Sequence, residues 1–194
     1  MAIYTNTEAV KTNRHGVWEK SRIRSHWAGG GHVFDALVVD DSKNPIDVDN
    51  GVALKIGELT GNGLSEVYAT IAKVGDKIAI TGAPAIVKEA YVASQEAAYN
   101  FYNKAGKDVK TYEIADDDYD IFCIASYQFT DASASAVKVG SYVVVDGKGM
   151  WVAQAAKPDA ATHGFIGKIY QMAYDTLNFT TKVYIQAVQN KQVA

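Results

Sequence analysis

The sequence predicts a mainly β protein, a small barrel or sandwich with one short α-helix and an extended N-terminal arm. From residue 33 onward, short apolar runs recur at about ten-residue spacing and are separated by turns rich in Gly, Asn and Asp. The chain has 194 residues, 48% of them hydrophobic and 21% charged, which is enough for a sizeable core. The predicted parts are an arm over 1–32, a β-rich body over 33–114 and a β-barrel-like part over 115–194.

The arm has neither helical nor strand periodicity. Its basic side chains outnumber its acidic ones, although the whole chain has a net charge of −3. A segment of this kind cannot bury its own tryptophans, so we expect it to lie over its own body or over a neighbour, and to be ordered mainly by another chain. Tryptophan and arginine are the usual anchors of protein interfaces. The predicted partner-binding residues are Arg14, Trp18, Arg22, Arg24 and Trp27.

The body over 33–114 is predicted from strands, turns and one helix. Alternation on both sides of Asn50-Gly51 predicts a hairpin with a type I′ turn. Between Ser94 as an N-cap and Gly106 as a stop, apolar residues at helical spacing predict a short helix near 95–105. The remaining apolar runs of the body predict strands.

The C-terminal part over 115–194 is predicted as an acidic turn, a strand, a hairpin pinched at 146–149 and two closing strands. The segment Lys-Val-Gly occurs at 73–75 and again at 138–140, each time before a β-run. The glycines predict turn conformations. Each Lys-Val-Gly is therefore interpreted as a turn that precedes a strand. Two related β subdomains are the alternative.

Enzymatic chemistry is not predicted. Most of the four histidines lie in the arm, and no nucleophile–base motif or metal-binding motif is present. The glycine clusters GGGH at 29–32 and TGNGL at 60–64 are not followed by predicted helices, so they predict turns rather than phosphate sites. The acidic groups at 47–51 and 115–120 lack the EF-hand pattern. We therefore expect no catalytic residues, cofactor or metal, and a weak surface Ca²⁺ site between the acidic turns stays open.

The single cysteine, Cys123, lies in the apolar run IFCIA and is predicted to be a buried thiol. No apolar run is long enough for a membrane span, and the first residues lack the apolar stretch of a secretory leader. Nucleic acid is disfavoured as a partner because the body is acidic. The expected partner is another protein.

Three stretches carry a resemblance to a known class: VFDA with DNGVALKIGEL, NFYNKAGKDVKTYEI, and VGSYVVVDGKGMWV. Over most of 33–150 they resemble small virion proteins of tailed bacteriophages that lie beside the major capsid protein as decoration, cement or head-fibre base. The resemblance implies a non-enzymatic protein, made in the host cytoplasm and bound to the capsid exterior. It also implies the major capsid protein as a partner and homo-oligomers or lattice-bound copies, with the arm binding the capsid.

A different class of function is the alternative: a carbohydrate-binding β-sandwich module that uses exposed Tyr and Trp as sugar platforms. It predicts that Trp151 and several tyrosines form an exposed strip. A third hypothesis is a small β-barrel enzyme that works through carboxylates, which would require a buried carboxylate pair in a cleft.

Overall fold

The computed structural model describes residues 15–23, 32–62, 66–84, 101–116, 120–176 and 179–193. Strands and short 3₁₀ helices make up the regular structure of these ranges, which confirms the predicted mainly β class. The strands are β1 (Trp18–Arg22), β2 (Val33–Val38), β3 (Ala53–Leu59), β4 (Glu66–Ile71), β5 (Ala79–Thr81), β6 (Asp108–Glu113), β7 (Ile121–Ala125), β8 (Tyr142–Val145), β9 (Trp151–Gln154), β10 (Phe165–Asp175) and β11 (Thr180–Asn190). The 3₁₀ helices are Ser126–Gln128 and Asp131–Ala136.

Strands β2 to β6 close into a barrel in the order β2-β4-β3-β5-β6. Neighbouring strands are antiparallel except β2 and β4, which run parallel. Since side chains alternate between the two faces of a strand, every second residue points into the barrel. Small residues such as Ala36 and Ala69 suit the narrow interior of a barrel with few strands. The apolar side chains that fill it include Ala36, Val38, Leu54, Val67, Ala69 and Val109.

The other strands form an open six-stranded sheet in the order β1-β7-β11-β10-β8-β9. One face of this sheet and one side of the barrel share a single hydrophobic core. Phe122, Trp151 and Phe165 lie at the centre of that core, with ring centroids 5.5–6.0 Å apart. The sequence predicted a barrel-like C-terminal part, whereas the described strands form an open sheet. That sheet also recruits β1 from the predicted arm, since β1 pairs with β7.

The Asn50-Gly51 pair turns the chain but does not form the predicted hairpin. A type I′ turn needs positive φ at both positions. Gly51 has φ 79°, but Asn50 is not among the described residues with positive φ. On the N-terminal side of the turn, Val48 forms an isolated bridge with Asn103 instead of pairing with β3. The hairpin prediction is wrong because the segment before the turn is held by a distant part of the chain.

The helix predicted near 95–105 is not formed over 101–105. There the chain is extended through Asn103 and then turns before β6. The backbone N–H of Asn103 donates to the carbonyl oxygen of Val48 at 2.8 Å, and its Nδ2 donates to the same oxygen at 3.1 Å. These contacts with the barrel override the local helical spacing. Residues 85–100, which include the start of the predicted helix, lie outside the described residues.

The two Lys-Val-Gly segments begin strands in different sheets. Residues 73–75 precede β5 of the barrel, and residues 138–140 precede β8 of the open sheet. Gly140 has φ 92°, which a residue with a side chain rarely adopts. Gly75 is confined instead by space, since a Cβ there would lie 3.2 Å from Cγ2 of Val193. The two segments are therefore similar because each is a turn before a strand. This similarity gives no support to two related subdomains.

Candidate interaction surfaces

The described part of the predicted arm, residues 15–23, is built into its own chain. Val17 and Ile23 are only 2% and 1% exposed. The ring of Trp18 stacks on Tyr112 with centroids 5.0 Å apart and lies directly over Gly82, where a Cβ would overlap the indole. The expectation that another chain mainly orders the arm is wrong for this segment. Trp18, which was predicted as a partner anchor, is partly buried and packs against the shared core of its own chain.

The other predicted contact residues flank this segment. Strand β1 is the first in the sheet order, and within the described part of the chain it pairs along one edge, with β7. The backbone of Arg22 pairs with Ile121. Arg14, Arg24 and Trp27 lie outside the described residues, immediately before or after the segment that β1 anchors.

A buried contact between a histidine and a carboxylate anchors the N-terminal end of this segment. Nδ1 of His15 lies 2.8 Å from Oδ1 of Asp49, and the backbone N–H of Gly16 donates to Oδ2 at 3.0 Å. His15 also stacks on Tyr102, and its carbonyl oxygen accepts a hydrogen bond from the hydroxyl of Tyr127. A histidine–carboxylate pair is a common catalytic element. Here both carboxylate oxygens already hold the N-terminal segment against the barrel.

A second buried polar group, Gln128, joins the sheet to the barrel. Its Oε1 accepts from the backbone N–H groups of Val17 and Ala125, at 3.1 and 2.9 Å. Its Nε2 donates to the carbonyl oxygen of Asn50 at 3.0 Å. Nε1 of Trp151 donates to the neighbouring carbonyl oxygen of Gly51 at 2.9 Å. Buried polar atoms need such partners, so these contacts fix how the two sheets meet.

The acidic groups considered for Ca²⁺ hold the backbone where the structure describes them. Oδ1 of Asp47 accepts from the N–H of Ala105 at 2.8 Å, and Asp49 binds His15 and Gly16. Within the described ranges, no group of three or more His, Cys, Asp or Glu side chains is arranged to hold a metal ion. Residues 117–119 of the second acidic group lie outside those ranges.

The buried carboxylates also have structural partners. Burial alone would raise the pKa of Asp76, but hydrogen bonds from Lys55, the Lys73 N–H and Gln192 outweigh it and hold that pKa below its ordinary value. Asp175 forms an ion pair with Lys182, whose Nζ also binds Glu19. Each of these carboxylates is thus paired with a cation or an N–H group, which fits a structural role.

One carboxylate pair does share a hydrogen bond. The side chains of Asp108 and Glu66 interact on the barrel exterior, and this bond, together with burial and the charges of Glu66 and Asp35, raises the pKa of Asp108. Asp108 is exposed rather than buried. The pair therefore lacks the buried cleft that the enzyme hypothesis required.

A cleft of about 270 Å³ opens in the barrel wall beside the short strand β5. Its lining includes Phe34 and Ile56 together with two lysines that each bind a carboxylate, Lys55 to Asp76 and Lys77 to Glu113. Ligand pockets usually measure roughly 300–1,000 Å³ and present unpaired polar groups. This cleft is small and its cations are already neutralised.

The thiol of Cys123 is buried, as predicted. Burial, assisted by the negative charge of Glu19, raises the pKa of Cys123 to about 12. A thiolate nucleophile needs the opposite shift. The structure therefore places Cys123 in the sheet as an apolar packing residue.

Trp151, the platform named for carbohydrate binding, is only 1% exposed and packs in the shared core. An exposed strip that includes Trp151 is therefore not formed. Of the tyrosines crowded near the centre of the chain, Tyr112 is buried and Tyr102 and Tyr127 contact His15. Tyr91, Tyr99 and Tyr119 lie outside the described residues.

Of the seven exposed large apolar side chains among the described residues, three lie on the β10–β11 hairpin and a fourth lies just before β8; Val33, Leu59 and Val74 lie in the barrel part. We call the first four the hairpin patch: Val139 (63% exposed), Tyr170 (57%), Tyr174 (66%) and Phe179 (58%). Phe179 also has φ 47°, an uncommon conformation for a bulky residue. Contiguous exposed apolar side chains mark interaction sites in soluble proteins. Sequence reasoning missed this surface because tyrosine in a strand equally predicts packing.

These features describe a β protein in which a closed barrel and an open sheet share a core, with a tethered N-terminal strand and an exposed aromatic hairpin. Comparison with protein-family models, with curated proteins and with solved structures finds no match for this chain. None of the described helices is long and apolar enough to cross a membrane.

Proposed function

We propose that this protein is a non-enzymatic virion protein of a tailed bacteriophage that binds the major capsid protein on the outside of the head, as a decoration, cement or head-fibre-base protein. The proposal starts from the resemblance of most of 33–150 to such proteins. The observation that carries it further is the position of β1 at the edge of the sheet, flanked in sequence by Arg14 on one side and by Arg24 and Trp27 on the other.

Anchoring of β1 supports a role for the flanking residues in binding. Val17, Trp18 and Ile23 are packed within the protein, so residues 15–23 form a fixed point from which both flanks begin. A capsid contact made by Arg14, Arg24 or Trp27 would then be transmitted to the body through the strand pairing of β1 with β7. Arginine supplies charge steering, and a buried interfacial tryptophan supplies most of the affinity.

The structural roles of the described polar groups support the non-enzymatic part of the proposal. Asp49, Asp76 and Asp175 are each engaged with a cation or an N–H group. The thiol of Cys123 is buried and its pKa is raised to about 12. These groups stabilise the fold, as expected for a structural component of a virion.

Co-sedimentation with capsids tests the proposal. The genes that flank the coding sequence identify the phage, and its purified capsids are mixed with the protein and separated on a sucrose gradient. We expect the protein to travel with capsids in a fixed copy number. Trp27→Ala should reduce occupancy more than Arg24→Ala, because exposed charge contacts contribute only roughly 0–1 kcal/mol each.

Lys157→Ala is the matched control for Arg24→Ala, because Lys157 is an exposed cation in a loop of the C-terminal part. It should leave occupancy unchanged. Failure of the wild-type protein to bind capsids would overturn the proposal. Full occupancy of Trp27→Ala and Arg24→Ala would move the binding surface away from the flanks of β1.

Carbohydrate binding remains the alternative function, and it must now rest on Tyr170 and Tyr174 because Trp151 is buried. A glycan array separates the two functions. Glycan binding that is lost in Tyr174→Ala, without capsid binding, would favour the alternative.

A further inference from the structure

Over its second half, β10 has an edge along which no other strand of the described residues pairs. The N–H of Ile169 donates to the carbonyl oxygen of Ser141, and the N–H of Gly140 donates to the carbonyl oxygen of Ile169, both at 2.8 Å. Among the described residues, these are the last hydrogen bonds that residues at the start of β8 make to β10. Strand β10 nevertheless continues to Asp175 and stays paired with β11 throughout. We call the stretch from Tyr170 to Asp175 the free edge of β10.

The backbone groups that point out of this edge can be identified. In a strand, the direction of the N–H and C=O groups alternates together with the side-chain face. Ile169 faces the core and directs its backbone groups toward β8. The bulge at Tyr170 leaves Met172 packed against the same core, so Met172 and Tyr174 direct their N–H and C=O groups toward the free edge.

Lysine, proline and short length, three common devices that protect edge strands, are absent from this edge. Natural edge strands are usually blocked by lysine, proline or short length, because unpaired backbone groups attract another strand. The free edge has neither lysine nor proline, its one charged residue, Asp175, is buried, and Tyr170 and Tyr174 are more than half exposed. At about 3.4 Å per residue it offers roughly 20 Å of pairing surface.

We infer that this free edge pairs antiparallel with the free edge of a second copy of the chain, around a two-fold axis at Ala173. In this register the N–H and C=O groups of Met172 meet those of the second copy's Tyr174, and the reverse. Ala173 meets the second copy's Ala173 on the axis, where Cα atoms of such a pair lie about 4.5 Å apart. An uncharged residue at this position avoids like charges that would face each other on the axis.

The remaining side chains are also self-complementary in this register. Each Tyr174 lies opposite a Met172, a contact in which sulfur and aromatic ring attract. Each Asp175 lies opposite a Gln171, so no like charges face each other across the new pair. The second copy's Asp175 then lies one residue before the position opposite Tyr170, beside the contact of Gly140 with Ile169. The pairing places the exposed Tyr170 and Tyr174 at the contact, and its self-complementary register favours a second copy over an unrelated strand.

The inference is independent of capsid binding, since the free edge lies on β10 and the proposed capsid contacts flank β1, with β7 and β11 between those strands. In a dimer, the residues that flank β1 would lie in each copy at the edge of the sheet away from the dimer contact. Failure of one proposal therefore leaves the other standing.

Sedimentation of the full chain over a range from about 1 µM to about 500 µM tests the inference. We expect the wild-type protein to pass from monomer to dimer. Ala173→Glu should weaken association by about tenfold or more, because two carboxylates then meet on the axis. Within one chain residue 173 pairs with Lys182, so a glutamate there is compatible with the fold.

A charge-reversal mixture makes the test specific for the axis. Ala173→Lys alone should also weaken association, whereas an equal mixture of Ala173→Glu and Ala173→Lys should form a heterodimer at least as tightly as the wild type. Ala155→Glu is the matched control, because Ala155 is exposed after β9, and it should associate like the wild type. Circular dichroism at low concentration checks that each variant is folded.

A wild-type protein that stays monomeric over the whole range would overturn the inference. So would Ala173→Glu dimerising as tightly as Ala155→Glu, which would place the contact on another surface. Loss of association in both single variants without recovery in the mixture would show that residue 173 does not meet itself.

Discussion

Nε2 of Gln128 donates to the carbonyl oxygen of Asn50 at 3.0 Å, and this hydrogen bond links the open sheet to the barrel. The two residues are far apart in sequence, and both are buried. The same Gln128 side chain accepts the N–H groups of Val17 and Ala125. One neutral side chain thus satisfies three backbone groups at the place where three segments meet.

Replacing Gln128 by leucine should destabilise the protein by about 2–4 kcal/mol, because the N–H groups of Val17 and Ala125 and the Asn50 oxygen lose their partner while buried. Urea unfolding followed by fluorescence measures this change. Gln154→Leu is the control, since the hydrogen bond that Gln154 makes to Ala156 is exposed. It should change stability by less than about 0.5 kcal/mol. Equal effects of the two variants would contradict a linking role for Gln128.

Trp18 should be required for folding rather than for partner binding alone. Trp18→Ala removes the ring that packs on Tyr112 and Gly82, and we expect a loss of about 3 kcal/mol in the isolated protein. Trp18→Phe should cost less, because Nε1 of Trp18 is buried without a hydrogen-bond partner among the described residues. Tyr170→Ala, which removes an exposed ring, is the control at low concentration. Unchanged stability of Trp18→Ala would restore the partner-anchor interpretation.

Gly82 supplies the complementary test of the same contact. A methyl group at this position would overlap the indole of Trp18, so Gly82→Ala should destabilise by about 1–3 kcal/mol. The double variant Trp18→Ala with Gly82→Ala removes the overlap. Its loss should therefore be smaller than the sum of the two single losses, which a double-mutant cycle measures. Strict additivity would mean that the two residues do not touch in solution.

The strands were predictable from sequence because their signals are local. Alternation and turn residues place β8 and β9 on either side of 146–149, and β10 and β11 around a polar turn, and the structure has strands there. The contacts around Asn50 and Gln128 were not predictable. They join segments that no periodicity relates, and a buried Asn has the same local sequence signal as an Asn in an exposed turn.

The interaction surfaces depended on information that a sequence pattern does not contain. Trp18 lies in a basic segment without periodicity and was therefore expected at an interface, but in the fold its ring stacks on Tyr112 from β6. Gly140 and Ser141, just before β8, make the last contact with β10 at Ile169. Tyr170 and Tyr174 lie beyond this contact and are exposed. Which neighbouring strand stops first is a property of the register, and only the assembled sheet reveals it.

Cys123 should be unreactive in the folded protein. Because burial raises its pKa to about 12, the thiolate is scarce at pH 8, and access is blocked as well. We expect a thiol reagent such as DTNB to modify the native protein much more slowly than a free thiol, and to modify one thiol per chain in urea. Rapid modification of the native protein at pH 8 would contradict the burial of Cys123.

Asp76 should make stability depend on acid pH. It is 5% exposed, and it binds Lys55 at 2.7 Å, the Lys73 N–H at 2.8 Å and Gln192 at 3.2 Å. Burial opposes its ionised form, but these hydrogen bonds outweigh burial and hold its pKa below the ordinary 3.8. A carboxyl whose pKa is lowered by folding stabilises the protein above its unfolded pKa. That stabilisation is lost as the pH falls through the folded pKa.

Asp76→Asn should therefore destabilise the protein by about 1–3 kcal/mol at pH 7, since a charged buried hydrogen-bond acceptor is replaced by a neutral one. The difference between wild type and variant should persist down to about pH 5 and then shrink as the pH falls below 3.8. Urea unfolding at a series of pH values measures it. Lys55→Met, alone and combined with Asp76→Asn, shows whether the loss comes from the ion pair, because the coupling between the two changes should fade over the same range of pH. A difference between wild type and Asp76→Asn that stays constant from pH 7 to pH 3 would mean that Asp76 is not held in its ionised form by Lys55, the Lys73 N–H and Gln192.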